Sequence, residues 1–239
     1  MSNLILVRHG QATAFSQVTD RLSEVGEEQS RRLGEYWLRQ GLRFDEVYSG
    51  PLERQRRTAE IVGKRFEEAG MSWPGVRVLP ELAEYHAEAL LSRGVPELSS
   101  RDPHFRELAA TLEIHRHGPE RNRHFQRMFE ALMKVWVAGG IPAPDLEQWD
   151  AFRERVRQGI ERITASGGNR RTVAAFTSGG CIGVTVQAVL SAPVAAGLEL
   201  NWRVRNCSLT EILFSGNRLS LDLFNAIPHL DDPAVRTFR

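Results

Sequence analysis

Hydrophobic and polar positions alternate along this chain between two kinds of pattern. Leu4-Ile5-Leu6-Val7, after Asn3, is a short unbroken apolar run of the kind found in strands buried on both faces. From Ser23 to Gln40 the apolar residues Val25, Leu33 and Tyr36-Trp37 recur at helical spacing, with Ser23 as N-cap and Gly41 as stop. Phe44 to Tyr48 reads as a second strand, followed by a helix from Ser49-Gly50-Pro51 to about Ala69, closed by Gly70. Val76 to Leu79 is a third strand. From about Tyr85 to Gly140 the pattern turns helical and polar, and Pro96, Pro103 and Pro119 should break it into pieces. Asp145 to Ser166 predicts another amphipathic helix, Thr172 to Phe176 a buried strand, and Gly180 to Leu190 a helix. Ser208 to Phe214 and Leu219 to Phe224 predict a closing hairpin around Gly216-Asn217.

Strands alternating with helices predict an α/β protein, a three-layer α/β/α sandwich around a mostly parallel central sheet. The segment at about 85–145 interrupts the alternation and reads as a helical insertion over the active-site end of one domain spanning residues 1–239. In such a sheet, chemistry gathers beyond the carboxyl ends of the parallel strands. The segments after Val7, Tyr48, Leu79 and Phe176 are therefore the places to look.

Composition narrows the classes of function. The 31 basic and 30 acidic residues leave a formal charge of +1, and no run of five like charges appears, so nothing attracts nucleic acid globally. The apolar runs are too short to span a bilayer, and the N-terminus enters its first strand without a leader pattern. Cys181 and Cys207 are too few for a disulfide scaffold or a cysteine zinc site. The expectation is a cytoplasmic, non-membrane protein. Its oligomeric state is left open. All basic residues but Lys64 and Lys134 are arginines, which a GC-rich genome explains, so each arginine is judged by position.

Position singles out a few of them. Arg8-His9-Gly10-Gln11-Ala12 follows the first strand, putting a histidine at a strand end beside an arginine that can hold an anion. After the second strand, Arg54 falls in the first turn of a helix, where free N–H groups and the positive dipole end already favour an anion. A cation there is costly unless a negative ligand compensates. Arg56 and Arg57 lie about 200° and 300° further round the helix and should face solvent. After the third strand, Glu84 could donate a proton if burial raised its pKa, although most such glutamates are merely solvated.

Taken together, Leu6-Val7-Arg8-His9-Gly10-Gln11-Ala12, Leu22-Ser23-Glu24-Val25-Gly26 with Gln29, Ser49-Gly50-Pro51-Leu52-Glu53-Arg54, Thr58-Ala59-Glu60 and Leu82-Ala83-Glu84 resemble the successive motifs of the histidine phosphatase, or phosphoglycerate mutase-like, superfamily. Asn206-Cys207-Ser208-Leu209-Thr210, Phe224-Asn225 and His229-Leu230 are similar to its closing hairpin and tail. The resemblance runs in order through residues 3–84 and 145–230. It implies that His9 is transiently phosphorylated, that Arg8 and Arg54 clamp the phosphoryl group, and that Glu84 donates the proton. Gln11, Ser178, Gly179 and His86 join them as substrate-binding candidates. It implies a small phosphorylated substrate, with no cofactor and no metal.

Two departures shape the expectation. The family ends its fourth core strand on a second histidine, whereas Thr177-Ser178-Gly179-Gly180 follows Phe176 here, so Ser178 stands in that place. Serine donates one hydrogen bond and the glycines offer backbone N–H groups, but the charged partner is lost. His86 is the sequence's candidate for a replacement donor. The second departure is that Glu84 leads into Tyr85-His86-Ala87-Glu88, without the glycine-containing stretch of the sugar-phosphate mutases, which favours a phosphatase. Two alternatives within the family stay open: a weak relative that binds phosphorylated ligands, and a mutase-type phosphotransferase. A serine hydrolase using Ser178, Asp222 and His229 is a third, though it leaves Arg8, His9 and Arg54 without a task.

Other motifs read blandly. Arg116-His117-Gly118 repeats the tripeptide, but no strand presents it. His104, His115, His117 and His124 contain no i, i+4 pair, so no metal site is assigned. Six arginines against four acids between Arg101 and Arg127 could draw an anionic substrate tail.

Overall fold

The computed structural model describes residues 1–13, 20–165 and 170–238. The chain divides into two compact units, Met1–Glu84 with Arg155–Arg239, and Tyr85–Glu154. Among the described residues no helix is long and apolar enough to cross a membrane.

The first unit is built on a six-stranded sheet. Its strands are β1 (Ser2–Arg8), β2 (Glu46–Ser49), β3 (Val76–Val78), β4 (Thr172–Thr177), β5 (Leu209–Ser215) and β6 (Arg218–Ala226), in the order β3-β2-β4-β1-β5-β6. The first four of that order pair in parallel, and β5 and β6 close one edge antiparallel. The sheet is thus mixed and mostly parallel, as predicted, and the closing hairpin turns at Gly216, whose φ of +55° suits glycine.

Period-two alternation explains the layers. Ile5, Val7, Val47, Ala174 and Phe176 point to one face, where they are buried with Leu33 and Trp37 of α1 (Glu24–Arg39) and Val62 and Phe66 of α2 (Glu53–Glu68). Leu4, Leu6, Val173 and Ala175 are fully buried on the other face, where α7 (Gly179–Val189) packs on β1. Ser23 caps α1 as expected, its side chain accepting from the Gly26 N–H at 3.1 Å.

The second unit is helical among its described residues: α3 (Ala87–Arg101), α4 (Pro103–Ile114), α5 (Arg121–Val137) and the first turns of α6 (Trp149–Ala165). Pro96 does not break the pattern but lies inside α3. Pro96 and Ser92, whose carbonyl it leaves without a helical donor, are both exposed. Pro103 starts α4 at its first position, where a missing N–H costs nothing. The helix predicted from Asp145 begins at Trp149, and its predicted last residue, Ser166, lies outside the described residues. A short α8 (Val194–Asn201), absent from the sequence reading, follows Pro193 and packs on α7.

His229, near the C-terminus, is 4% exposed against Tyr36, and burial holds its pKa down at about 4. The unfolded chain would titrate near 6.5, so this residue's contribution to stability is complete above about pH 6.5. It is lost as the pH falls through 4, by up to about 3 kcal/mol. Urea unfolding between pH 7.5 and 4 should therefore show a decline that is shallower in His229→Leu. An equal slope in both proteins would contradict it.

Candidate active site

His9 stands one residue beyond β1, with its backbone held from both sides. Its N–H donates to Thr177 O at the end of β4 (2.9 Å), and its carbonyl accepts from Cys207 N (3.2 Å) and Asn206 Nδ2 (3.4 Å). The next residue is glycine because the chain passes close to α1: a Cβ on Gly10 would lie 2.4 Å from Gly26 O. Gly10 N in turn donates to Thr58 Oγ1 (3.0 Å), tying this turn to the first turns of α2.

The imidazole has a defined tautomer. Nδ1 lies 2.7 Å from Gly10 O, which can only accept, so Nδ1 carries the proton and Nε2 the lone pair. Arg54 Nε donates to that lone pair at 3.0 Å. Burial, then the Arg54 and Arg8 charges, push the His9 pKa well below its ordinary value. At neutral pH the ring is uncharged, as a nitrogen nucleophile must be.

Arg54 takes its place because it is the second residue of α2, on the first turn at the positive helix end. Its Nη1 donates to Asp20 Oδ1 at 2.7 Å, and Asp20 Oδ2 accepts from Glu53 N at 2.8 Å. Arg8, at the end of β1, sends Nη1 to the carbonyls of Phe238 (2.8 Å) and Val204. Its charge is nonetheless felt at His9.

Glu84 follows a 3-10 turn at Pro80–Leu82, and its Oε2 accepts from Gly180 N at 2.9 Å, on the first turn of α7. The two preceding carbonyls fix its approach. Leu82 O accepts from Thr177 Oγ1 (2.8 Å) and Gln55 Nε2 (3.1 Å), and Ala83 O from Arg155 Nη1 (3.0 Å). Elements that hold the His9 backbone and the Arg54 helix therefore also hold the acid.

Ser178 meets a partner that the sequence did not indicate. It is fully buried, and its Oγ accepts from Gln55 Nε2 at 2.8 Å. Gln55, also fully buried, accepts from Leu52 N (3.2 Å) through its Oε1. Arg54 and Gln55, neighbours on α2, thus reach His9 and Ser178 respectively. The sequence reading missed Gln55, although a glutamine at the third helical position commonly folds back on its own helix start. It missed Asp20 too, for which a lone aspartate gives no signal. Ser178→His should lower turnover about tenfold or more, since an imidazole must displace the Gln55 amide from a filled site. A gain in kcat/KM on an aryl phosphate would show that room exists.

The remaining candidates are more peripheral. Gln11 bonds the start of α1: its N–H donates to Gln29 Oε1 (2.8 Å) and its Oε1 accepts from Ser23 Oγ (2.9 Å). Gly179 opens α7, where a Cβ would lie 2.8 Å from Asn201 Oδ1 and 3.7 Å from Arg8 Nε. His86 is exposed at the start of α3, in the helical unit. The donor that meets Ser178 is Gln55.

The serine hydrolase triad is not assembled. Ser178 bonds Gln55, Asp222 is exposed on β6, and neither ring nitrogen of His229 bonds a side chain among the described residues. Arg116-His117-Gly118 is an exposed turn between α4 and α5. That turn does bring together ligand atoms of His115, Glu120 and His124 within 4.8 Å, which linear spacing did not reveal. The two rings stack at 4.4 Å and 15°, so their in-plane lone pairs run side by side instead of converging on one ion about 2 Å away.

Known proteins resemble this chain in sequence and in fold. Over 96 residues the chain is 38% identical to the 2,3-bisphosphoglycerate-dependent phosphoglycerate mutase of Thermobifida fusca, covering 38% of each chain. Over 160 residues it is 27% identical to the phosphoglycerate mutase of Candida albicans, covering 64% of this chain and 53% of that one. The matched part thus spans between about two fifths and half of these curated relatives. The solved phosphoserine phosphatase of Entamoeba histolytica, in complex with 3-phosphoglyceric acid, superposes with a TM-score of 0.63 at 18% identity, over 96% of this chain and 100% of that one. The sequence profile of the histidine phosphatase superfamily (branch 1) matches residues 4–139 and 101–227, more than half of the chain. With a buried histidine at the end of β1 facing an arginine from the start of α2, and with that match, the chain belongs to branch 1 of the histidine phosphatase superfamily.

Proposed function

We propose that this protein is an enzyme that hydrolyses small phosphomonoesters through a phosphohistidine on His9. The observation that carries the proposal is the neutral His9 ring whose Nε2 lone pair faces the Arg54 guanidinium. A phosphoryl group entering there draws Arg54 from the ring onto its own oxygens, and Nε2 attacks phosphorus in line. The P–O ester bond breaks as the N–P bond forms, and Glu84 protonates the departing oxygen. Water then attacks phosphorus, Glu84 takes its proton, and the P–N bond breaks to return His9 and inorganic phosphate. Arg8 and Arg54 balance the charge of the transferring group. Gln11, Ser178, Gly179 and His86 remain candidates for holding the substrate.

The relatives named above include mutases as well as a phosphatase. Hydrolysis is favoured because Glu84 is followed by Tyr85-His86-Ala87-Glu88, a stretch without glycine. We also propose that the chain is one domain with the helical unit inserted in it, working in the cytoplasm, where Cys181 and Cys207, buried and not disulfide-bonded, would stay reduced. The test compares hydrolysis of p-nitrophenyl phosphate with that of p-nitrophenyl acetate, and quenches the first reaction for phosphoprotein. Turnover of the phosphate with an acid-labile, base-stable phosphoprotein supports the proposal. Turnover of the acetate alone, or of neither, refutes it.

A further inference from the structure

Asp20 belongs to none of the motifs that the family resemblance rests on, yet its carboxylate takes two donors at the start of α2. Oδ1 takes the Arg54 Nη1–H at 2.7 Å, and Oδ2 takes the Glu53 N–H at 2.8 Å, the first N–H of α2. That backbone group has no partner within its own helix and lies at the positive dipole end. The neighbouring Leu52 N–H is already used by Gln55 Oε1. One arginine N–H and one helix-end N–H, converging on two oxygens, form a seat that a phosphoryl group would use equally well. The same guanidinium holds the His9 lone pair through Nε, so Arg54 spans the nucleophile and the carboxylate. The Asp20 side chain keeps 36% of its surface in water, which makes its departure into solvent inexpensive.

We propose that Asp20 is a specificity-determining residue: its carboxylate occupies the anion seat of Arg54 and α2 until a phosphoryl group displaces it, and then disfavours substrates carrying a second anion beside the phosphate. The proposal rests on the phosphatase reading of the same site. Displacement costs binding energy on every substrate, because one charged hydrogen-bond set is exchanged for another. Once displaced, the carboxylate stays tethered at the rim with Glu53, whose own charge is offset by Arg21 at 3.3 Å. A carboxylate or second phosphate on the substrate meets that negative edge, whereas a neutral or cationic group does not. Discrimination against doubly anionic monoesters follows.

The experiment uses the full chain and Asp20→Asn, which keeps an oxygen acceptor for Arg54 and Glu53 N–H but removes the charge. Calorimetric titration with orthovanadate should show binding about tenfold tighter in the variant. KM for p-nitrophenyl phosphate should fall by a similar factor with kcat within threefold, and kcat/KM for 3-phosphoglycerate should rise at least threefold more than for the aryl ester. Vanadate binding that is unchanged, weaker or absent in a variant with an unchanged melting temperature would overturn the proposal, since Asp20 would then only position Arg54. Equal gains on both esters would overturn the discrimination against a second anion. If the parent hydrolyses neither ester, the phosphatase reading falls, while the vanadate titration still decides whether Asp20 competes for the seat.

Discussion

His9→Ala is expected to reduce hydrolysis of p-nitrophenyl phosphate by at least about a thousandfold and to abolish the acid-labile phosphoprotein. Without Nε2 no covalent intermediate forms, and what remains is charge stabilisation by the arginines around a water nucleophile. The fold should survive. The backbone bonds of residue 9 to Thr177, Cys207 and Asn206 do not involve the side chain. Removing a buried ring whose protonation two guanidinium groups oppose leaves no charge stranded. The melting temperature and the far-UV spectrum serve as the control. Activity within tenfold of the parent, in a folded variant, would mean that another group attacks phosphorus.

Glu84→Gln separates proton donation from positioning. Glutamine keeps an oxygen to accept from Gly180 N, so the segment after the Pro80–Leu82 turn retains its anchor on the first turn of α7. What it loses is the proton. An alkoxide leaving group is strongly basic and must be protonated as the P–O bond breaks, whereas nitrophenolate leaves unaided. The expected result is a loss of about 10²- to 10⁴-fold on alkyl phosphates against less than about tenfold on p-nitrophenyl phosphate. A series of leaving groups of graded basicity measures it directly, as a steeper dependence of kcat/KM on leaving-group pKa in the variant. Parallel lines for parent and variant would assign Glu84 a binding or structural role.

Much of the scaffold was legible because it depends on local patterns. The apolar run Leu4–Val7 reads as a strand buried on both faces, and it is fully or almost fully buried between β4 and β5. Ser23 and Gly41 bounded α1 through capping chemistry that acts within a few residues. Pro96 misled because proline's effect on a helix depends on whether the freed carbonyl meets water, which residue type alone does not tell. The short α8 was overlooked because Val194–Asn201 offers only two turns, too few for periodicity to emerge.

By itself, the sequence determined the α/β alternation and the residue types that follow the strand ends: His9, Arg8, Arg54 and Glu84. Only the tertiary structure decided how those groups are partnered. The buried Ser178 Oγ accepts from Gln55, 123 positions away. Arg54 is shared between His9, 45 positions away, and Asp20, 34 positions away. The physical reason is one of range. Helical and strand periods and end caps are set by neighbours within a few residues, whereas a buried polar group must find its partner wherever the fold brings one within about 3 Å.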